Sequence, residues 1–97
     1  MVIVAGRLVV ITSETGTFFA DLVSLAGAAR SASGCLLFAL GADHDAADAA
    51  LLVEKWNDPE AHRAFLQTSA FVQFSRTWGT RIRNELVIAE VTAHPAA

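Results

Sequence analysis

Among its 97 residues the chain has no tyrosine, one cysteine (Cys35), one lysine (Lys55), one methionine and two prolines. Each scarcity removes a class of function. Without tyrosine the chain can offer no side-chain phenol to acid–base chemistry. A single cysteine cannot close an internal disulfide, which fits a reducing compartment, so a cytoplasmic location is expected. Seven basic residues stand against ten acidic ones, for a net charge of −3. The arginines are scattered apart from Arg81 and Arg83. A nucleic-acid surface needs clustered positive charge to displace counterions, so no nucleic-acid partner is expected. No apolar stretch approaches the roughly 20 residues that span a bilayer, and no membrane partner is expected either. Met1 to Ile11 is apolar, but Arg7 interrupts it and it lacks a basic start, so it reads as a strand rather than a signal peptide. There is no GxGxxG, no P-loop and no CxxC, so neither cofactor nor metal is expected.

What the chain does have is apolar character. Hydrophobic residues make up 54% of it and charged ones only 18%. A chain of this length buries only about 60–65% of its unfolded surface, which leaves room for one core and makes a burial partner useful. Residues 1–97 therefore read as a single domain with a short tail at 93–97. The excess of apolar surface points to self-association, moderated by the nineteen alanines that inflate the count.

The pattern along the chain alternates strands and helices. Val2 to Thr12 is rich in β-branched and apolar residues on both alternating faces, as a central strand requires. Arg7 is the exception, and Gly6 beside it leaves space where a side chain would stand. Ser13 to Thr17 is polar, with several possible caps. Phe18, Leu22, Leu25 and Ala29 then form one helical stripe, closed by Arg30 in the last turn, where a cation suits the helix dipole. Ser31 to Gly34 turns the chain into a second strand, Cys35 to Leu40. Gly41 to Asp48, rich in aspartate and alanine, is expected as a loop, and Ala49 to Trp56 as the third strand. Asp58-Pro59-Glu60 supplies an N-cap, a proline at the first helical position and an acid in the first turn. Thr68-Ser69 breaks that helical region. Phe71, Phe74 and Trp78 continue it, and Glu85 to Thr92 is expected as the last strand. The order is a split βαβ repeat, an α+β ferredoxin-like plan with a four-stranded antiparallel sheet.

Few residues carry chemistry. His62 is the first candidate for proton transfer, since an imidazole titrates near neutrality; the alternative is a boundary residue on a short helix. His44 lies between Asp43 and Asp45, but neighbours on one loop rarely converge on one ion, and a solvated loop is the plainer reading. Trp78 and Trp56 could face a ligand or simply pack as core. Cys35 has nothing nearby to lower its pKa and reads as a small hydrophobe, and Lys55 as a solvated strand residue. Arg7 on an otherwise buried strand needs an anion, and Glu54 or Glu90 across a subunit interface could supply it.

Arg7-Leu8, Phe18, Gly34-Cys35 and Phe38, followed by Val53-Glu54-Lys55-Trp56 and Ser69-Ala70-Phe71-Val72-Gln73-Phe74, together resemble the antibiotic biosynthesis monooxygenase family over about residues 2 to 92. The resemblance implies a dimeric α+β barrel, a homodimer of face-to-face sheets with a pocket between sheet and helices in each subunit. It also shows departures. The family's second-strand tyrosine is Phe38 here, and a histidine common in the second helical region is Phe65. The haem-degrading branch carries Asn, Trp and an axial His where this chain has Gly6, Phe65 and Ser75.

The resemblance implies a cofactor-free, monooxygenase-like enzyme acting on a small aromatic or quinol-type molecule. In that reading His62 is the base and Arg81 or Arg83 the anion partner. Gly6, Phe38, Phe65, Phe71 and Trp78 form the substrate pocket. Two alternatives remain open: an oxygen-independent isomerase, and a non-catalytic dimeric binding or stress-associated protein whose pocket is filled by its own side chains.

Overall fold

A computed structural model describes residues 1–92; the tail at 93–97 lies outside the described residues. Four strands and three helices follow in the order β1 (Val2–Val10), α1 (Thr15–Arg30), β2 (Cys35–Asp43), β3 (Ala46–Trp56), α2 (Pro59–Leu66), α3 (Ser69–Trp78) and β4 (Ile82–Glu90). The strands form one sheet in the order β2-β3-β1-β4, antiparallel throughout. This is the ferredoxin-like α+β plan expected from the sequence.

Register gives the sheet two distinct faces. Val2, Val4 and Leu8 of β1 stand level with Trp56, Glu54 and Ala50 of β3, and successive side chains alternate between faces. The even-numbered residues of the central strands therefore share one face, and the core forms there against Phe18, Leu22, Leu25 and Ala29 of α1. The helical stripe read from the sequence is the buried one. On the opposite face Leu37, Leu51, Val53 and Val87 remain between 38% and 68% exposed, and no element of the described chain covers them.

Caps behave unevenly. Asp58 caps α2 by accepting from Ala61 N at 2.8 Å, and Thr68 caps α3 by accepting from Phe71 N at 3.3 Å. The polar segment before α1 supplies no side-chain cap: Glu14 holds that position without such a bond. Arg30 does more than face the helix dipole. Its Nε and one terminal nitrogen both donate to the Phe38 carbonyl of edge strand β2, at 3.0 and 2.8 Å.

Five strand ends differ from the sequence reading. The expected loop at Gly41 to Asp48 is mostly strand, because β2 and β3 continue as a hairpin that turns at His44-Asp45. Ladder pairing such as Ala42 with Ala50 overrides the weak strand propensity of alanine and aspartate, and Asp43 Oδ1 holds the turn by accepting from Asp45 N at 2.9 Å. Strand β4 begins at Ile82, which pairs with Val10, and ends at Glu90, which pairs with Val2, short of the expected Thr92; β1 itself ends at Val10 rather than Thr12. Glycine is required twice. Gly6 has a φ of +143° and Gly34 one of +82°. A Cβ on Gly6 would strike the Glu85 carbonyl, and one on Gly34 would strike Ala61.

Candidate functional site

Between the sheet and the helices lies a cavity of about 440 Å³, within the roughly 300–1,000 Å³ typical of small-molecule sites. Its floor comes from the even-numbered face of the sheet, where Val4, Phe38 and Leu52 line it, and its roof from His62, Phe65, Phe71 and Phe74 of α2 and α3. The aromatic rings are mutually supported. Phe65 stacks on Trp56 at a centroid distance of 5.1 Å and meets Phe71 at 5.8 Å and Phe38 at 6.3 Å.

Four polar residues reach the lining: Glu54, His62, Ser75 and Asn84. Asn84 Oδ1 is occupied by Leu86 N at 2.8 Å. Glu54 is the unusual one. It is only 7% exposed, and in the ladder it sits between Val4 of β1 and Phe38 of β2, two apolar neighbours. Its Oε1 accepts from Trp56 Nε1 at 2.9 Å. Burial pushes its pKa above the ordinary carboxyl value, and the indole N–H works against that shift. His62 is buried with its ring 5.9 Å from that of Trp56. Desolvation pushes its pKa below the ordinary imidazole value. A neutral imidazole keeps one ring nitrogen free to accept a proton.

The structure thus brings four of the sequence-derived candidates, Phe38, Phe65, Phe71 and His62, to one cavity. It does not bring the others. Arg81 pairs with Glu14 at 3.1 Å and lies over the Trp78 ring at 5.8 Å. Arg83 pairs with Glu85 at 2.7 Å, because its odd-numbered place, level with Val9, turns it to the open face. Neither arginine lines the cavity, so neither is placed to hold a substrate anion there. Trp78 is core: it packs edge-on against Phe18 at 5.2 Å and donates to Asp21 Oδ2 at 2.9 Å. The space beside Gly6 is taken by the close approach of β4 rather than by a ligand.

Arg7 also differs from its expected pairing. It bonds Glu85 at 2.6 Å and Asp43 at 3.0 Å within the same chain. Glu54 lies on the other face of the sheet, and Glu90 pairs with Val2 at the far end of β4. Burial raises the Cys35 thiol pKa, which leaves it a poor nucleophile. His44 is exposed. Among the described residues no group of three or more His, Cys, Asp or Glu side chains could hold a metal, and no helix is long and apolar enough to cross a membrane.

Sequence reasoning missed Glu54 as a site residue. The signal was its parity, since it stands two residues before Trp56 and two after Leu52 on the face whose other members are apolar.

The profile of the family named "Antibiotic biosynthesis monooxygenase" matches residues 1–77. No curated protein matches the chain. Solved structures share its fold. A proposed antibiotic biosynthesis monooxygenase of Deinococcus radiodurans is 22% identical, with a TM-score of 0.86 over 100% of this chain and 98% of that one. One from Chloroflexus aurantiacus is 24% identical, with a TM-score of 0.77 over 96% and 95%. A Bacteroides thetaiotaomicron protein described as a possible oxidoreductase is 16% identical, with a TM-score of 0.84 over 93% and 96%. Matched in sequence over residues 1–77 and in fold along its length, the chain belongs to the antibiotic biosynthesis monooxygenase family.

Proposed function

We propose that this chain is a homodimeric, cofactor-independent oxidoreductase of the cytoplasm that uses dioxygen on a small aromatic, quinol-type substrate. The observation that carries the reading is the cavity itself: aromatic walls around one buried histidine whose pKa burial has lowered. A quinol-type hydroxyl in such a site is shut off from bulk water, so the neutral imidazole of His62 is the acceptor within reach for its proton. The resulting anion is electron-rich and gives one electron to dioxygen, the oxidant; the substrate radical and superoxide so formed join through a C–O bond, and His62 returns its proton to the terminal peroxide oxygen. Phe38, Phe65 and Phe71 hold the ring in place. The dimer is proposed through the open sheet face, whose exposed leucines and valines form an apolar surface of the kind that marks an interface.

The test is oxygen uptake with a panel of hydroquinones and anthrones. His62→Ala should slow uptake at least about tenfold, the lower range for a lost general base. An unchanged rate would remove His62 from the reaction.

A second reading, oxygen-independent isomerisation, draws support from the presence of two proton-carrying groups, Glu54 and His62, in one apolar cavity. Turnover that persists without dioxygen would select it.

A further inference from the structure

Glu54 has no role in the reaction proposed above, yet it is the least expected group in the molecule. The cavity lining contains this one carboxyl and no lysine or arginine. The arginines that could have reached inward are engaged elsewhere: Arg30 on the Phe38 carbonyl, Arg81 on Glu14, and Arg7 and Arg83 on Glu85. Oε1 of Glu54 is fixed by the Trp56 indole, and among the described residues no other donor bonds the carboxyl. Holding an indole N–H would require only a neutral amide oxygen. A carboxyl meets the same need at a larger desolvation cost, and it adds a second oxygen that bonds nothing among the described residues yet is not sealed from solvent, on a residue that lines the cavity.

We propose that Glu54 selects and orients the ligand: it accepts a hydrogen bond from the hydroxyl of an uncharged aromatic alcohol, and the cavity rejects aromatic carboxylates. The inference rests on reading the cavity as an aromatic ligand site. Two physical effects act together. A hydroxyl entering the cavity loses water and regains a charge-assisted hydrogen bond at Glu54. A carboxylate loses more water, finds no cation in the lining, and meets a group of like charge whenever Glu54 is ionised. Because the Trp56 bond fixes the carboxyl, the accepting oxygen stands in one place, so the ligand hydroxyl is directed toward the β3 side of the cavity under α2. Selection against anions and orientation of the hydroxyl are then one device.

The experiment is calorimetric titration with 1-naphthol and 1-naphthoate, which share a ring system and differ in the polar group. On the unaltered protein naphthol should bind at least about tenfold more tightly, the scale of a hydrogen bond to an ionisable partner. Glu54→Gln keeps an acceptor for Trp56 and removes the charge. It should weaken naphthol binding and narrow the gap between the two ligands at least about threefold, since the like-charge penalty and the charge-assisted bond are gone while the dehydration cost of the carboxylate stays. Equal affinities on the unaltered protein would overturn the proposal, as would full selectivity retained in Glu54→Gln. Binding of neither ligand would overturn it together with the aromatic-site reading. The comparison on the unaltered protein decides the matter even where the variant misfolds. Selective naphthol binding in a protein that consumes no dioxygen with any quinol would uphold this inference and overturn the oxidoreductase reading.

Discussion

The two faces of the sheet treat their acids in opposite ways. On the open face Asp43 and Glu85 lie beside Arg7, with Arg83 also on Glu85. The Arg7 guanidinium leads the causes that hold Glu85 below the usual carboxyl range, while for Asp43 the Asp45 backbone N–H comes first and Arg7 second. On the covered face Glu54 has one neutral N–H and no cation, and its pKa moves up. The first arrangement is what a solvated surface needs to settle its charges. The second is a stability cost that packing alone does not explain, and such costs concentrate where a site has work to do.

The contrast can be broken at four residues. The largest effect is expected from Trp56→Ala. Trp56 is fully buried, stacks on Phe65 and holds Glu54. Its removal should cost about 3–5 kcal/mol in urea unfolding, a large share of a small domain's stability, and it orphans the Glu54 oxygen as well. A loss near 1 kcal/mol would mean that the covered face tolerates collapse.

Next comes Val53→Asp. Val53 sits in the middle of the open face, level with Ala5 and Ala39, and is 38% exposed. The single chain should accommodate a carboxylate there, but two copies stacked face to face would bury it twice. Light scattering should show association weakened on the order of a hundredfold, by the cost of an unpaired buried charge. A dimer that survives unchanged would place the interface elsewhere.

The smallest effects are two pH profiles of melting temperature with opposite slopes. The folded-state pKa of Glu54 lies above its unfolded value, so the stability linked to it is full below about pH 4.3 and is lost as pH rises through the folded value. Glu54→Gln, which cannot ionise, should melt higher than the unaltered protein at pH 8, with the advantage vanishing near pH 4. Asp43 and Glu85 are shifted down, so their contribution is present above about pH 4 and is lost as pH falls further. Arg7→Met should therefore melt lower at pH 7 and converge with the unaltered protein in acid. Parallel profiles would erase the distinction between the faces.

Much of the fold was legible because it depends on local rules. The α1 stripe, the Asp58-Pro59 helix start and the Thr68 break each rest on residues close in sequence, and all three stand where periodicity and capping put them. Strand ends were not legible at Gly41 to Asp48, where ladder pairing with a distant segment outweighs local propensity. In the candidate site most of the aromatics were legible, Trp78 excepted, and the charges were not. Phe38 and Phe65 were named through the family resemblance, whereas the place of a long arginine depends on which carboxylate the register sets beside it. Arg83 illustrates the point, since only its position level with Val9 shows that it turns away from the cavity. Glu54 was legible in principle, but an acid on an apolar face invites a search for a cation, and here none is present.

The forked bond from Arg30 to the Phe38 carbonyl has a consequence for aggregation. An edge strand with unpaired backbone groups is a template for another chain's strand, and proteins guard such edges or risk fibre-like growth. Phe38 lies near the middle of β2, so an incoming strand would have to displace a guanidinium held at two points before it could zip along that edge. The apolar face beside it is left bare. Edge growth can continue without limit, whereas stacking of two such faces is complete at two copies. One arginine at the end of α1 therefore guards against open-ended growth along β2 while leaving untouched the face proposed for pairing.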